Sequence, residues 1–206
     1  MKSFYIACLV FIASSTYAQD WSVGVRLGDP SGISLKKYLG GKKTYEGFNA
    51  VEVSFGRAYV LQGQGAYNRK FDSWHNANDE QCDERYLVSS ESNTPLGLQV
   101  HYLVQENLSQ IGTENIKGLD WYYGFGGQIR SQSILYTYRC KKDGSSILYT
   151  EKVSDIDLGA DGVIGLEYKF DGAPISVYAD LTLFMEIADD PFLFWFQSGI
   201  GVRYEL

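Results

Sequence analysis

This chain of 206 residues has few histidines, no excess of basic residues and no long apolar run after its N-terminal region. No segment after the N-terminal region has 18 apolar residues in a row, which excludes a transmembrane helix of about 20 residues. The chain has only two histidines, so few residues could act as the base of a catalytic site that needs a nucleophile and a base. The net charge of −7 gives no support to nucleic-acid binding through a basic face.

Proline is also scarce, with 4 residues, whereas tyrosine reaches 16 and glycine 22. This composition favours β structure with tight packing over helical bundles. The mean hydropathy is slightly negative at −0.20. A membrane β-barrel is compatible with that value, because half of each strand faces a polar interior.

The N-terminus resembles a secretory signal peptide. Lys2 is followed by an apolar run over residues 4–13, and Thr16-Tyr17-Ala18 fits a signal-peptidase site before Gln19. We therefore predict a signal peptide over residues 1–18, cleaved between Ala18 and Gln19, and one β-barrel domain over residues 19–206.

Alternation of apolar and polar residues predicts eight strands. Their approximate positions are 21–28, 33–39, 51–55, 96–104, 121–129, 155–170, 175–187 and 194–206. The predicted fold class is an all-β, eight-stranded, antiparallel up-and-down transmembrane barrel. A soluble lipocalin-like barrel has the same alternation with the faces exchanged.

Aromatic residues at strand ends distinguish these two barrels. They predict an aromatic girdle at one membrane interface, formed by Trp21, Tyr102, Trp121, Tyr122, Tyr123, Tyr168, Phe170 and Tyr204. A Lys or Arg facing mid-bilayer costs about 2 to 4 kcal/mol, so the charged residues of the strands must face the lumen. We predict a luminal charge network of Arg26, Lys36, Glu52, Arg130, Asp155, Asp157, Asp161, Glu167, Lys169, Asp180, Glu186 and Arg203. An eight-stranded lumen is filled by side chains, which favours a paired plug over a conduit.

The lengths of the connections indicate the orientation. Residues 57–93 and 131–154 are predicted as long outer loops, whereas short turns and both termini are placed on the periplasmic side. Cys82 and Cys140 lie in these two loops. Because a secreted protein passes through an oxidising compartment, we predict a disulfide between them, with two free thiols as the alternative.

Three sequence features resemble a known group of proteins. They are Gly24-Val-Arg-Leu-Gly-Asp-Pro-Ser-Gly-Ile-Ser-Leu-Lys-Lys-Tyr-Leu39, Asp157-Leu-Gly-Ala-Asp-Gly-Val-Ile-Gly-Leu-Glu-Tyr168 and the Gly-Val-Arg-Tyr ending. Together they are similar to small outer-membrane β-barrel proteins of Gram-negative bacteria. The resemblance implies an outer-membrane location and a barrel architecture, and it brings no reaction and no functional residue.

Other candidate sites are weaker. The spacing of Asp155, Asp157 and Asp161 resembles a calcium loop, but Gly159 and Ala160 break the ligand pattern, and pairing with luminal cations is favoured. The acidic segment 79–84 is interpreted as solvated loop charge or as a divalent-ion site at lipopolysaccharide. His101 is assigned to the lumen, and His75 in Asp72-Ser73-Trp74-His75 is a poor catalytic candidate, because neighbours in sequence seldom face one another.

The sequence therefore predicts a non-enzymatic envelope protein with no catalytic, cofactor or metal site. Recognition is expected in the outer loops. The expected partners are outer-membrane lipid and lipopolysaccharide, the barrel-assembly machinery and an envelope protein, with no nucleic acid. A narrow channel for small amphiphilic solutes and a lipid-modifying enzyme are the two alternatives.

Overall fold

The computed structural model describes residues 20–39, 48–58, 71–72, 82, 84–108, 117–142, 144–188 and 192–206. The predicted signal cleavage at Ala18 and Gln19, His75, and most of the acidic segment 79–84 lie outside these residues. Within them the strands are β1 (Trp21–Gly28), β2 (Ser31–Leu39), β3 (Phe48–Arg57), β4 (Glu84–Asn107), β5 (Leu119–Lys142), β6 (Ser145–Lys169), β7 (Ile175–Ala188) and β8 (Phe194–Glu205). None of the helices found there is long and apolar enough to cross a membrane.

The eight strands form one closed sheet in which each strand pairs with its neighbours in sequence. The first and last strands close the ring, with Val25 opposite Val202 in an antiparallel register. Closure leaves no free edge at the level of the ring, so the backbone groups of all eight strands are paired there.

Strand β7 illustrates how the sequence assigns its two faces. Its exposed and buried residues alternate along the strand. Leu181 is 58% exposed on the outside of the barrel, whereas the next residue, Thr182, is fully buried in the lumen. Since successive side chains of a strand point to opposite sides, the period-two pattern places apolar residues outside and polar residues inside. This is the inverse of a soluble barrel.

Three strands continue well beyond the ring. β3 pairs with β4 only as far as Leu96, and β7 pairs with β6 only as far as Leu158. Beyond these points residues 84–95, 131–142 and 145–157 pair with one another and form a three-stranded sheet, which we call the sheet extension. Twelve residues of strand span about 40 Å.

The predicted loop at residues 131–154 was therefore wrong, and so was the part of the loop predicted at 57–93 that covers residues 84–93; most of residues 59–83 lie outside the described part of the chain. Residues 84–93 belong to β4, and residues 131–154 belong almost entirely to β5 and β6, which meet in a tight hairpin around Gly144. Continuous strand pairing holds this region, with Tyr138 opposite Tyr149 and Ile134 opposite Val153.

Candidate functional site

The lumen is organised around the carboxylate of Glu167 on β6. Lys36 Nζ donates to Glu167 Oε2 at 2.7 Å, and Arg203 Nη1 donates to Glu167 Oε1 at 3.2 Å. Gln105 and Ser176 donate two further hydrogen bonds, at 2.8 and 3.0 Å. One buried carboxylate thus links β2, β4, β6, β7 and β8 across the lumen.

A second carboxylate balances the charge of this cluster. Arg203 Nη2 lies 2.5 Å from Glu52 Oε1, so Arg203 is shared between Glu52 and Glu167. The ring of Tyr178 stacks against the guanidinium, with 3.5 Å between the Arg203 Cζ atom and the ring centroid. Lys36, Arg203, Glu52 and Glu167, which we call the luminal quartet, carry two positive and two negative charges and are almost completely buried.

Next to the luminal quartet, an ion pair between Arg26 and Asp180 joins β1 to β7 and crosses β8 at Gly199. The guanidinium of Arg26 donates to both carboxylate oxygens of Asp180 and passes over Gly199, where a Cβ would overlap the guanidinium group. A side chain on β1 reaches two strands away because Gly199 leaves this space open.

Tyr122 lies in the same part of the lumen, 3.4 Å from Asp180, and is 1% exposed. Its predicted place in the aromatic girdle was therefore wrong. Trp121, Tyr122 and Tyr123 are consecutive on β5, so the middle side chain must point opposite to its neighbours.

The other half of the lumen, towards the sheet extension, holds a second set of polar contacts. Arg130 Nη2 donates to Asp29 Oδ2 at 2.6 Å, and its guanidinium lies 5.2 Å from the Trp195 ring. Asp157 accepts a hydrogen bond from Gln132 at 3.2 Å. Polar side chains fill both halves of the lumen, as the predicted plug requires.

His101 faces a carboxylate inside the barrel. Its Nε2 atom lies 3.1 Å from Asp161 Oδ1, and the two residues sit on β4 and β6, on either side of β5. The imidazole crosses β5 at Gly126, where a Cβ would lie 2.6 Å from His101 Cδ2. Asp161 and Asp157 thus face different partners, and nowhere in the described residues do three or more potential metal ligands converge.

Ten of the twelve predicted luminal charges are buried inside the barrel: Arg26, Lys36, Glu52, Arg130, Asp157, Asp161, Glu167, Asp180, Glu186 and Arg203. Lys169 is half-buried near the rim, where its Nζ lies 2.9 Å from Asp120 Oδ2. The side chain of Asp155 is outside the described part of the chain.

Sequence reasoning missed several polar members of this interior. Gln105, Asp120, Ser176 and Asp29 all take part in the contacts above. The signal for the first three was present, because Gln105, Asp120 and Ser176 share the inward phase of their strands with residues that were predicted correctly as inward-facing. Asp29 lies in the β1–β2 turn, where strand phase gives no direction.

The remaining girdle residues lie at the rim near the chain termini. Trp21, Tyr123, Phe170 and Tyr204 are exposed on the outside, and Tyr102, Trp121 and Tyr168 are half-buried. Neighbouring rings pack together, with centroids 5.2 Å apart for Trp121 and Tyr123 and 5.1 Å apart for Tyr168 and Phe170.

The sheet extension has its own small core on the face that continues the lumen. Ile134, Tyr136, Tyr138 and Cys140 of β5 pack there against Phe71, with centroids 5.2 Å apart for the Phe71 and Tyr136 rings. A disulfide joins Cys82 to Cys140, so the predicted bridge is present. Cys140 lies on β5 and not in a loop, and the bridge attaches residue 82 to the middle strand of the extension.

The opposite face of the extension is exposed and mixed in character. Tyr86 donates a hydrogen bond to Glu84 at 2.8 Å, and Lys141 Nζ lies 3.3 Å from the same carboxylate. These hydrogen bonds hold the pKa of Glu84 below its usual value, and the bond to Glu84 raises the pKa of Lys141. On the covered face, burial raises the pKa of the Tyr138 phenol, and the nearby Glu151 carboxylate adds to that effect.

This geometry can be compared with known proteins. No protein-family model and no curated protein sequence matches the chain. The N-terminal β-barrel domain of Pseudomonas aeruginosa OprF superposes with a TM-score of 0.50 at 14% identity, over 90% of this chain and 97% of that one. Ail, the attachment invasion locus protein of Yersinia pestis, gives 0.45 at 10% identity, over 89% and 95%.

The chain folds as an eight-stranded β-barrel of the kind found in small outer-membrane proteins. The predicted fold class and the resemblance to small outer-membrane barrel proteins of Gram-negative bacteria are confirmed. At these identities the likeness concerns the fold alone, and one fold can serve many functions.

Proposed function

We propose that this barrel resides in the outer membrane of a Gram-negative bacterium as a non-enzymatic surface protein, and that the sheet extension is its recognition element. One observation carries the proposal: a lumen filled by buried polar side chains and ion pairs lies below a disulfide-linked sheet. The barrel then serves as an anchor. The extension is the part of the described chain that offers a large surface away from lipid.

The filled lumen argues against the channel alternative. The luminal quartet and the ion pair of Arg26 with Asp180 lie across the lumen, within the part of the barrel where all eight strands pair. Opening a path for solutes requires separation of buried ion pairs, which costs several kcal/mol for each pair. We expect no stepwise conductance in planar bilayers, and a reproducible conductance of the purified barrel would contradict the anchor role.

The enzymatic alternative also has little support. His101 is enclosed in the lumen beside Asp161, away from the lipid face where a lipid substrate would approach. We expect the lipid A mass spectrum to be unchanged when the gene is deleted.

Export and insertion complete the proposal. Residues 1–18 act as the signal peptide, and the C-terminal strand β8, which ends next to Leu206, is presented to the barrel-assembly machinery. Outer-membrane lipid and lipopolysaccharide surround the exposed apolar belt, and Trp21 and Tyr204 lie at its interface on the periplasmic side.

Site-specific photocrosslinking in the native envelope tests the recognition role. A photoreactive residue replaces Tyr86 on the exposed face of the extension, and a matched one replaces Ala173 in the exposed β6–β7 turn at the opposite end. We expect a discrete protein adduct from position 86 and none from position 173. Adducts from position 173 alone, or none from position 86, would contradict the proposal.

A further inference from the structure

Among the described residues, strand β6 has a neighbour on both sides within the ring and on only one side in the extension. β7 covers it from Lys169 up to Leu158, which pairs with Ala188. Above that point, no described residue pairs with residues 145–156 on this side, although β5 pairs with them throughout on the other. The position above β7 in the sheet is therefore open along the upper half of β6, among the residues that the structure describes.

The apolar part of this edge, residues 146–150, has little of the protection that isolated strand edges usually carry. Exposed edges are normally blocked by proline, bulges or inward-pointing charges. Residues 146–150 are Ser-Ile-Leu-Tyr-Thr, with no proline and no charge, and their register with β5 is unbroken. Ile147, Leu148 and Tyr149 are 54%, 57% and 43% exposed, so apolar surface is available on both faces of the strand.

The edge is already part of a paired, disulfide-linked sheet before any partner arrives. Ile147 is paired with Cys140, the residue that forms the disulfide, so the bridge braces the sheet at the same level as the apolar part of the edge. A preformed edge loses little conformational freedom when another strand is added.

We propose that residues 146–153 of β6 bind an extended segment of another protein as an added strand. The inference rests on the proposed recognition role of the sheet extension and names its kind of partner. The added strand runs antiparallel to β6 in the open position above β7, which continues the alternation of the barrel. Main-chain hydrogen bonds supply the affinity, and the side chains opposite β6 supply the selectivity.

The charges of β6 specify the order of residues in the partner. Glu151 and Lys152 are adjacent and exposed, so they point to opposite faces. A partner strand running antiparallel meets Lys152 first, then Glu151, Thr150 and the apolar residues 149 to 147. The complementary order is an acidic residue, a basic residue, any residue and three apolar residues.

A second copy of this chain does not meet that requirement. Two copies inserted in the same orientation in one membrane have parallel β6 strands, so their edges cannot pair antiparallel to each other. The antiparallel strand is therefore not the β6 edge of a second copy, and we assign it to a different protein with a segment of the stated order.

The test uses the folded full-length mature barrel in detergent micelles and the synthetic peptide SEKTVIVS. Amide hydrogen exchange by NMR measures the edge directly. Without peptide, we expect every second amide between residues 146 and 153 to exchange rapidly, because alternate amides of an edge strand face outward. Addition of SEKTVIVS should protect that same set. Protection of all these amides without peptide, or no added protection of the rapidly exchanging set when SEKTVIVS is present, would overturn the inference.

Charge reversal tests the register. Lys152→Glu should weaken binding of SEKTVIVS about three- to tenfold, since one cross-strand pair changes from attraction to repulsion, and should favour the peptide SKKTVIVS. Arg139→Glu is the matched control, because Arg139 lies on the same exposed face but on β5, away from the edge. Equal effects of the two substitutions would contradict edge pairing.

Backbone methylation of the peptide gives an independent check. Two versions of SEKTVIVS carry N-methyl groups on alternate amides, in opposite phases. One version should lose binding and the other should retain it, because only one set of amides faces β6. Equal binding by both versions would refute strand addition. If position 86 crosslinks a partner while SEKTVIVS fails to bind, the edge inference fails and the recognition role of the extension stands.

Discussion

Substitution of Glu167 by Gln tests whether the luminal ion pairs hold the barrel together. Gln keeps the shape of the side chain but removes its charge, which leaves the luminal quartet with two positive charges and only Glu52 to balance them. Breaking a buried pair by removing one partner costs about 3 to 5 kcal/mol. We expect Glu167→Gln to lower the free energy of unfolding by about 3 kcal/mol.

A double variant separates the effect of unbalanced buried charge on stability from the effect of lost hydrogen bonds. Lys36→Met combined with Glu167→Gln removes one charge of each sign and leaves the pair of Arg203 with Glu52 intact, at 2.5 Å. The double variant should therefore be more stable than Glu167→Gln alone, although it has lost more hydrogen bonds. Asp171→Asn, in the exposed β6–β7 turn, is a control for removal of a carboxylate and should change stability by less than about 0.5 kcal/mol.

The assay is urea unfolding in lipid vesicles, followed by the gel mobility of the folded barrel. The reasoning is refuted if Glu167→Gln leaves the unfolding free energy unchanged. It is equally refuted if the double variant loses the sum of the two single losses, because independent contacts add and coupled charges do not.

Leu181→Arg, on the lipid face, should destabilise by about 2 to 4 kcal/mol in vesicles, and an unchanged unfolding midpoint would mean that this face meets water. Gly199→Val should separate Arg26 from Asp180 and cost about 3 kcal/mol or more; a crystal structure of the variant with the pair intact would contradict the close approach. Cys140→Ser removes a bridge between residues 58 apart, worth about 4 kcal/mol in the chain-entropy model. It should expose the extension to limited proteolysis while the barrel stays folded, and unchanged cleavage would show that the bridge does not brace the sheet.

Much of the barrel could be predicted from sequence because lipid imposes a strict rule on its strands. Along β7, Leu181 and Leu183 must face lipid and Asp180 must face inward, so period and phase are both determined. The same rule placed Arg203 and Glu167 in the lumen. The rule does not specify which luminal side chains pair, so it does not predict that Arg203 is shared between two carboxylates.

The sheet extension escaped prediction because the apolar phase reverses along the strand. In the ring, β5 turns Phe125 and Ile129 outward to lipid, whereas above residue 131 its apolar residues Ile134 and Tyr136 point inward against Phe71. Outside the bilayer the outward face meets water, so only the inward face can bury apolar groups. A single continuous strand therefore appears in the sequence as an interrupted pattern.

Surface labelling of the native lysines tests the central claim, that the sheet extension of a membrane-spanning barrel faces the cell exterior. Lys141 and Lys152 lie on the extension, and Lys117 lies at the opposite end, just before β5; all three are exposed. Intact cells are treated with a membrane-impermeant amine reagent, and the labelled sites are identified by mass spectrometry. We expect modification at Lys141 and Lys152 and none at Lys117 until the outer membrane is permeabilised. Labelling of Lys117 alone, or of no site in intact cells, would contradict the account.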